Sequence, residues 1–246
     1  MSLKKVLIFS DVHAPYHDKR AWNLMLKVAK AWKPDTIVSL GDFADCYAVS
    51  SHSRNPKMAM EFGNEIKVCR SMLLQLDALG AQKKIFLAGN HEDRLQRYVQ
   101  DKCPELFDVI SIPGILKLAE SNWEYVPYRQ FHRLGKLFMT HDVGGSGRFA
   151  HYKVGEVFQR NVVSGHTHRI GVAVEGNIEG KRHIAASFGW LGDVNAIDYM
   201  SKAKVIKDWS LGFGVAYMDE TTGFIYLQAI PVVDYTVVFE GKKFTA

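Results

Sequence analysis

Ile85-Phe86-Leu87-Ala88-Gly89-Asn90-His91-Glu92 is the stretch whose reading decides the fold. Ile85, Phe86 and Leu87 suit a strand buried on both faces, and the run stops abruptly at glycine. Gly89 permits a backbone turn that other residues resist, so Asn90 and His91 project where the strand ends. In open α/β sheets that edge is where ligands bind. A Gly-Asn turn beside a histidine is also ordinary loop chemistry, so the reading depends on whether other strands end the same way.

They do. Upstream, Val6 to Ser10 is a continuous β-prone run that stops in Asp11-Val12-His13. Residues 19 to 32 carry Trp22, Leu26, Ala29 and Trp32 at helical spacing, closed by Lys33-Pro34-Asp35. Thr36 to Leu40 is a second buried strand ending in Gly41-Asp42. The strand, helix, strand order predicts a parallel pair with a right-handed crossover, which sets Asp42 beside Asp11. Downstream, Lys136 to Thr140 runs into His141, and Asn161 to Ser164 runs into Gly165-His166-Thr167-His168. A helix is predicted between them, from about Arg148 to Gln159.

The intervening segments read differently. Residues 43–83 begin with a polar loop from Tyr47 to Lys57 and continue in a helix from about Glu61 to Leu79, with Ile66, Cys69, Leu73, Leu76 and Leu79 on one face. Residues 93–135 begin with a helix to Gln100 and become loop-rich through Pro104, Pro113 and Pro127, with a short helix near Ile115 to Ala119. Both segments are expected as cap-like insertions on a single domain spanning 1–246. From Arg169 onward, β-prone runs at 170–175, 181–187, 213–219, 224–230 and 234–239 predict an antiparallel meander.

Composition bounds the function. The chain has 246 residues, 47% of them apolar, enough for one large core. Lys and Arg number 31 against 26 Asp and Glu, a net charge of +5 that permits an anionic partner such as nucleic acid without requiring one. Cys46, Cys69 and Cys103 form no Cys-x-x-Cys pair, so neither a disulfide framework nor a thiolate zinc site is expected, and a reducing cytoplasm is the expected home. No run has the length of a signal peptide or a membrane span, so a soluble protein without membrane contact is expected.

Taken in order, Asp11-x-His13, Gly41-Asp42, Gly89-Asn90-His91-Glu92, His141 and Gly165-His166-x-His168 resemble the motifs of the calcineurin-like metallophosphoesterase family. The resemblance covers residues 6 to 168. It implies an α/β fold of two stacked mixed β-sheets flanked by helices, a four-layer αββα sandwich, with a dinuclear metal centre that hydrolyses phosphate esters. It further implies that Asp11, His13, Asp42 and His168 hold one ion, and that Asp42, Asn90, His141 and His166 hold the other. His91 is then the proton donor to the leaving oxygen, and a hydroxide bridging the metals is the nucleophile. The residue types suit this chemistry: paired dications need mixed oxygen and imidazole donors and one bridging anion, and metal coordination lowers the pKa of water towards about 7. Oxygen and imidazole donors without thiolate suit Mn²⁺ first, with Fe, Zn²⁺, Co²⁺ and Ni²⁺ as alternatives.

Weaker candidates surround this set. Glu92 is expected to orient a ligand or to cap the helix that starts there. His17 could touch substrate from the loop after His13. Arg94, Arg148 and Arg169, each just after a motif, could contact a phosphate chain, although arginines on helix surfaces are usually solvated. A phosphodiester, nucleic acid included, is slightly favoured as substrate by the basic charge. The alternatives are a phosphomonoesterase acting on a nucleotide, metabolite or phosphoprotein, and a non-catalytic binding scaffold, which would be expected to lack ligands. The stretch Gly89 to Tyr98, with Trp209 and Gly212-Phe213-Gly214, is similar to phage- or prophage-encoded members of the family. Oligomeric state leaves no signature in the sequence.

Overall fold

Val6, Leu7, Ile8 and Phe9, in the first strand (β1, Leu3–Phe9), are all fully buried because successive side chains enter two different cores. Val6 and Ile8 join one apolar cluster, Leu7 and Phe9 another. The computed structural model describes residues 3–52, 55, 60–196 and 208–246; part of the polar loop expected at 47–57 lies outside them.

The elements follow as α1 (Lys19–Trp32), β2 (Thr36–Ser39), α2 (Phe62–Asp77), β3 (Lys83–Leu87), α3 (Glu92–Lys102), α4 (Ile112–Leu116), β4 (Trp123–Val126), β5 (Phe131–Leu134), β6 (Leu137–Thr140), α5 (Ala150–Phe158), β7 (Asn161–Ser164), β8 (Ile170–Gly176), β9 (Arg182–Phe188), β10 (Gly212–Asp219), β11 (Ile225–Pro231), β12 (Thr236–Phe239) and β13 (Lys242–Thr245). One mixed sheet has the order β11-β10-β1-β2-β3-β4, a second has the order β5-β6-β7-β9-β8, and β12 and β13 pair as a separate two-stranded sheet. Between the first two, Ile8, Val38, Ile85 and Leu87 pack with Leu137, Met139, Val163 and Phe188. On the outer face of the first sheet, Leu7, Phe9, Ile37 and Phe86 pack with Trp22, Met25 and Val28 of α1 and Ile66, Cys69 and Leu73 of α2. Val154 of α5 covers Val162 and Ala185 on the outer face of the second sheet. The layers are therefore helix, sheet, sheet, helix, the sandwich expected from the sequence.

Local signals explain the boundaries. Asp18 caps α1, its carboxylate accepting the N–H groups of Arg20 and Ala21 at 2.9 Å each, and Lys33 ends it in a left-handed conformation before Pro34. The segments expected as caps contribute framework as well. α2 is the core helix between β2 and β3, and β4 extends the first sheet beside β3.

The expected C-terminal meander does not form. β8 and β9 pair as a hairpin, but β9 also pairs in parallel with β7, whereas β10 and β11 join β1 in the other sheet. Burial gives the reason. Ala185, Ala186, Ser187 and Phe188 are buried in succession, which suits an interior strand, and a meander would leave one face of them in water. All three cysteines are free. No helix among the described residues is long and apolar enough to cross a membrane.

Candidate metal centre

Register assembles the site. β1, β2 and β3 are parallel neighbours, with Val6 opposite Thr36 and Thr36 opposite Lys83, so the turns carrying Asp11, Asp42 and Asn90 emerge side by side. β6 and β7 are likewise parallel, bringing His141 and His166 together from the other sheet. The two groups are tied across the sandwich: His141 Nδ1 donates to the Leu40 carbonyl (2.8 Å), and the His166 N–H donates to the Asp11 carboxylate (2.9 and 3.0 Å).

Among the described residues three clusters of donor atoms result, of which two hold the expected ligands and the third is His13, Asp45 and His91. In the first, His13 Nε2 and His168 Nε2 lie 3.1 Å apart, and Asp11 Oδ1 is 3.3 Å from His168 Nε2. In the second, Asn90 Oδ1 faces His166 Nδ1 (2.9 Å) and His141 Nε2 (3.1 Å), and Asp42 Oδ2 is 3.3 Å from the same Nε2. All seven residues expected as ligands are thus brought together, and the Asp11, His13, His168 and the Asp42, His141, His166 sets each fit the spacing of a metal site.

The donor chemistry fits cations. His141 places its Nδ1 proton on Leu40, so its Nε2 presents a lone pair to two oxygen acceptors, Asn90 Oδ1 and Asp42 Oδ2. Acceptors converging in this way need a positive centre. Burial opposes a charged His141, but Asp42 outweighs it and lifts the imidazole to about 10; a proton or a metal cation at Nε2 satisfies the same carboxylate. Burial depresses His168 to about 4, so the imidazole is neutral and keeps one ring-nitrogen lone pair for a cation. Metal–nitrogen bonds of about 2.1 Å set neighbouring ligand atoms roughly 3.0–3.4 Å apart, the spacing seen here. His168 is also wedged in place, stacked on Trp190 (centroids 4.7 Å, 11° between planes) and edge-on to Trp209 (3.9 Å).

Gly89 serves the site by its size. The backbone turn that needs a glycine is the one after β2, where Gly41 has φ +103°. Gly89 does not have positive φ; a Cβ there would collide with the Asp42 carboxylate and with His141. Glu92 locks the same corner. Fully buried, it accepts the N–H groups of Gly89 (2.7 Å), Asp42 (2.9 Å) and Ala44 (2.7 Å). Burial and the nearby Asp42 raise its carboxyl to about 7. It does not cap α3, whose first turn begins after His91 without a side-chain cap. Gly89→Ala is expected to displace Asp42, so that bound metal falls below one ion per chain by elemental analysis while circular dichroism retains the wild-type shape. Full metal content in this variant would show that the corner has slack.

Beside the clusters lies a contact that the sequence reading missed. Asp45, three residues after Asp42, holds both His13 Nδ1 (3.1 Å) and His91 Nδ1 (3.2 Å) with Oδ2, and its carbonyl also faces His91 Nδ1 (3.1 Å). Arg94 Nη1 donates to Asp45 Oδ1 (3.1 Å) and to its carbonyl (3.0 Å), while Nη2 donates to His91 Nε2 (3.0 Å). Arginine has no lone pair to offer, so His91 carries its proton on Nδ1 and accepts at Nε2. Burial lowers the proton affinity of His91, Asp42 and Asp45 opposing it. The available signal was the second aspartate in Gly41-Asp42-Phe43-Ala44-Asp45, which follows no strand and so escaped a search for strand tips.

The remaining candidates make other contacts. His17 packs against Trp22 (centroids 6.3 Å) rather than joining the clusters. Arg148 is exposed and lies 3.7 Å from Asp208, and Arg169 donates to the Thr167 carbonyl (3.0 Å). Arg94 meets the centre through His91.

Comparison with known proteins agrees with this geometry. The family model described as calcineurin-like phosphoesterase matches residues 4–170. The gene 54 protein of Mycobacterium phage L5 is 23% identical over 263 aligned positions, covering 97% of this chain and 98% of that protein. That of Mycobacterium phage D29 is 23% identical over 240, covering 88% and 89%. Among solved structures, vacuolar protein sorting 29 from Cryptosporidium parvum superposes with a TM-score of 0.50 at 15% identity, covering 99% of this chain and 95% of that one.

Proposed function

The chain belongs to the calcineurin-like phosphoesterase family, whose members hydrolyse phosphate esters with divalent metal ions, and on that premise we propose that it is a dinuclear metal-dependent phosphodiesterase. The observation that carries this reading is the pair of donor clusters, Asp11, His13 and His168 in one and Asp42, His141 and His166 in the other, with Asp45, His91 and Arg94 linked at their side. When bound, the ions supply Lewis acidity at the phosphoryl oxygens and an activated water. Asp11, His13, Asp42 and His168 would hold one ion, and Asp42, Asn90, His141 and His166 would hold the other. Mn²⁺ is the metal we assign, from oxygen and imidazole donors without thiolate.

The chain's own work is charge placement and proton delivery. In this assignment Asp42, seated with His141 and His166, would be the carboxylate shared between the two ions. Asp45 holds His91 through Nδ1, so the transferable proton belongs on Nε2, taken up as Arg94 Nη2 gives up its bond there; Asp42 and Asp45 stabilise that proton and Arg94 repels it, so it passes readily to a leaving oxygen. Arg94 is committed to Asp45 and His91. Neutralising the phosphate then falls to the metals, which suits the single charge of a diester better than the double charge of a monoester.

Stripping the metal with a chelator is expected to abolish turnover and added Mn²⁺ to restore it. A chromogenic phosphodiester, the corresponding monoester and single-stranded DNA should be compared side by side, with the diester hydrolysed faster than the monoester. No turnover of any of the three overturns the hydrolase reading; faster monoester turnover overturns the diester preference alone.

A further inference from the structure

A second basic cleft lies at the opposite end of the strands that carry the histidines. β6 and β7 are preceded by Lys136 and Arg160, as they are followed by His141 and His166. Each strand has four residues, about 13 Å of chain, so the cleft and the metal centre occupy opposite edges of the sheet. The cleft encloses about 450 Å³, and Arg133, Lys136, Arg160, Lys181 and Arg182 line it with Phe138 and Phe224; no carboxylate is among its lining residues. All five cations are exposed.

Local contacts hold this cluster open. Arg133 Nε donates to the Gly135 carbonyl (2.8 Å) with its guanidinium 5.6 Å from the Phe138 ring, and Arg160 Nη1 donates to the Gln159 carbonyl (2.8 Å). Each guanidinium keeps further N–H donors. Lys181 is paired with Glu179 (2.7 Å) and His183 with Glu175 (3.0 Å), which leaves Arg133, Lys136, Arg160 and Arg182 as the cations without an ion pair among the described residues. These four like charges repel one another, and an incoming polyanion relieves that repulsion while releasing its own counterions. Phe224, 40% exposed, adds an open aromatic face. Cations tracking a backbone beside a ring on which a base can stack are the recognition elements for single-stranded nucleic acid, and a concave cleft admits a single strand where a duplex needs a broad surface.

We propose that this cleft is a binding site for a single-stranded nucleic-acid segment, separate from the metal centre. It anchors the strand by phosphate contacts at Arg133, Arg160 and Arg182 and by stacking on Phe224. The binding requires no hydrolysis, so its test stands apart from that of the catalytic reading.

The experiment is fluorescence anisotropy of a labelled twelve-residue oligothymidylate with the full chain in chelator, across a salt series. R133E/R160E/R182E is expected to bind at least tenfold more weakly and to flatten the slope of log affinity against log salt by about 2, the value for three lost phosphate contacts on a single strand. K30E/K67E/K242E makes the same charge change elsewhere and is expected to stay within a factor of two. Turnover of the chromogenic diester with metal restored is expected to be unchanged in the first triple. Phe224→Ala is expected to weaken oligothymidylate binding severalfold while leaving heparin binding unaltered. Equal losses in both triples, or an unchanged slope in the first, overturn the site. Wild-type oligothymidylate binding by Phe224→Ala overturns the nucleic-acid assignment. Should the glutamate triple fail to fold, R133Q/R160Q/R182Q replaces it, with a threefold or greater loss expected and no loss overturning the site.

Discussion

Asp42→Asn is expected to leave a folded chain that binds less than one divalent ion and loses on the order of 10³-fold or more in kcat/KM, about 4 kcal/mol of transition-state stabilisation. Asparagine preserves the shape of the side chain and the oxygen that accepts the His91 N–H at 2.8 Å, so the corner built by Gly89 and Glu92 survives. What disappears is charge. Under the proposed assignment, Asp11 and Asp42 set two negative charges against two dications, leaving about +2; the substitution raises this to about +3 and removes the anion between the ions. Asp11→Asn is the comparison that gives the result meaning. Asp11 groups with His13 and His168, so its loss should empty one position and spare the other. Metal content by elemental analysis and diester turnover measure both variants. Two ions retained in Asp42→Asn would remove Asp42 from its bridging role, and equal loss of both ions in the two variants would remove the distinction between the clusters.

Backbone conformation around these ligands explains what was and was not legible beforehand. Strands β1, β2, β3, β6 and β7 are continuous apolar runs with a polar stop, and burial on two faces leaves that signature in the residues themselves. β4 and β5 have no such signature. Trp-Glu-Tyr-Val and Phe-His-Arg-Leu are four-residue edge strands whose place is set by the partner they meet, β3 for one and β6 for the other. The ligand turns were legible only as residue types. Asp11, His13, Asp42, His166 and His168 all adopt left-handed backbone, with φ between 51° and 71°, a conformation costing an L-residue roughly 1–2 kcal/mol. Local preference argues against it at each position; the hydrogen bonds of Asp11 N–H to Gly41 O (3.0 Å) and His13 N–H to Asp42 O (2.9 Å) impose it from the neighbouring turn. Asp45 was missed for the same reason, since its partners His13 and His91 come from other turns.

His91→Ala is expected to keep both ions and to lower turnover by about 10²–10⁴-fold, most for esters with poor leaving groups. The imidazole bonds Asp45 and Arg94 and takes no part in the convergent oxygen and nitrogen atoms around Asn90. A group that delivers a proton matters most where the departing oxygen is basic. A nitrophenolate should therefore lose little and an alkoxide much. Asp45→Asn tests the same contact from the other side, but it cannot be equally clean, because the Asp45 carboxylate also holds His13 Nδ1 at 3.1 Å. That variant should lose turnover through His91 and also bind metal more weakly in the cluster of His13, Asp11 and His168. The double variant separates these effects. Once His91 is absent, removing Asp45 has no proton donor left to misplace, so the further loss in turnover at saturating metal should be small while the weakened metal affinity persists. Loss of an ion in His91→Ala would make the imidazole a ligand, and a uniform loss across all leaving groups would make its role the binding of phosphate in place of proton donation.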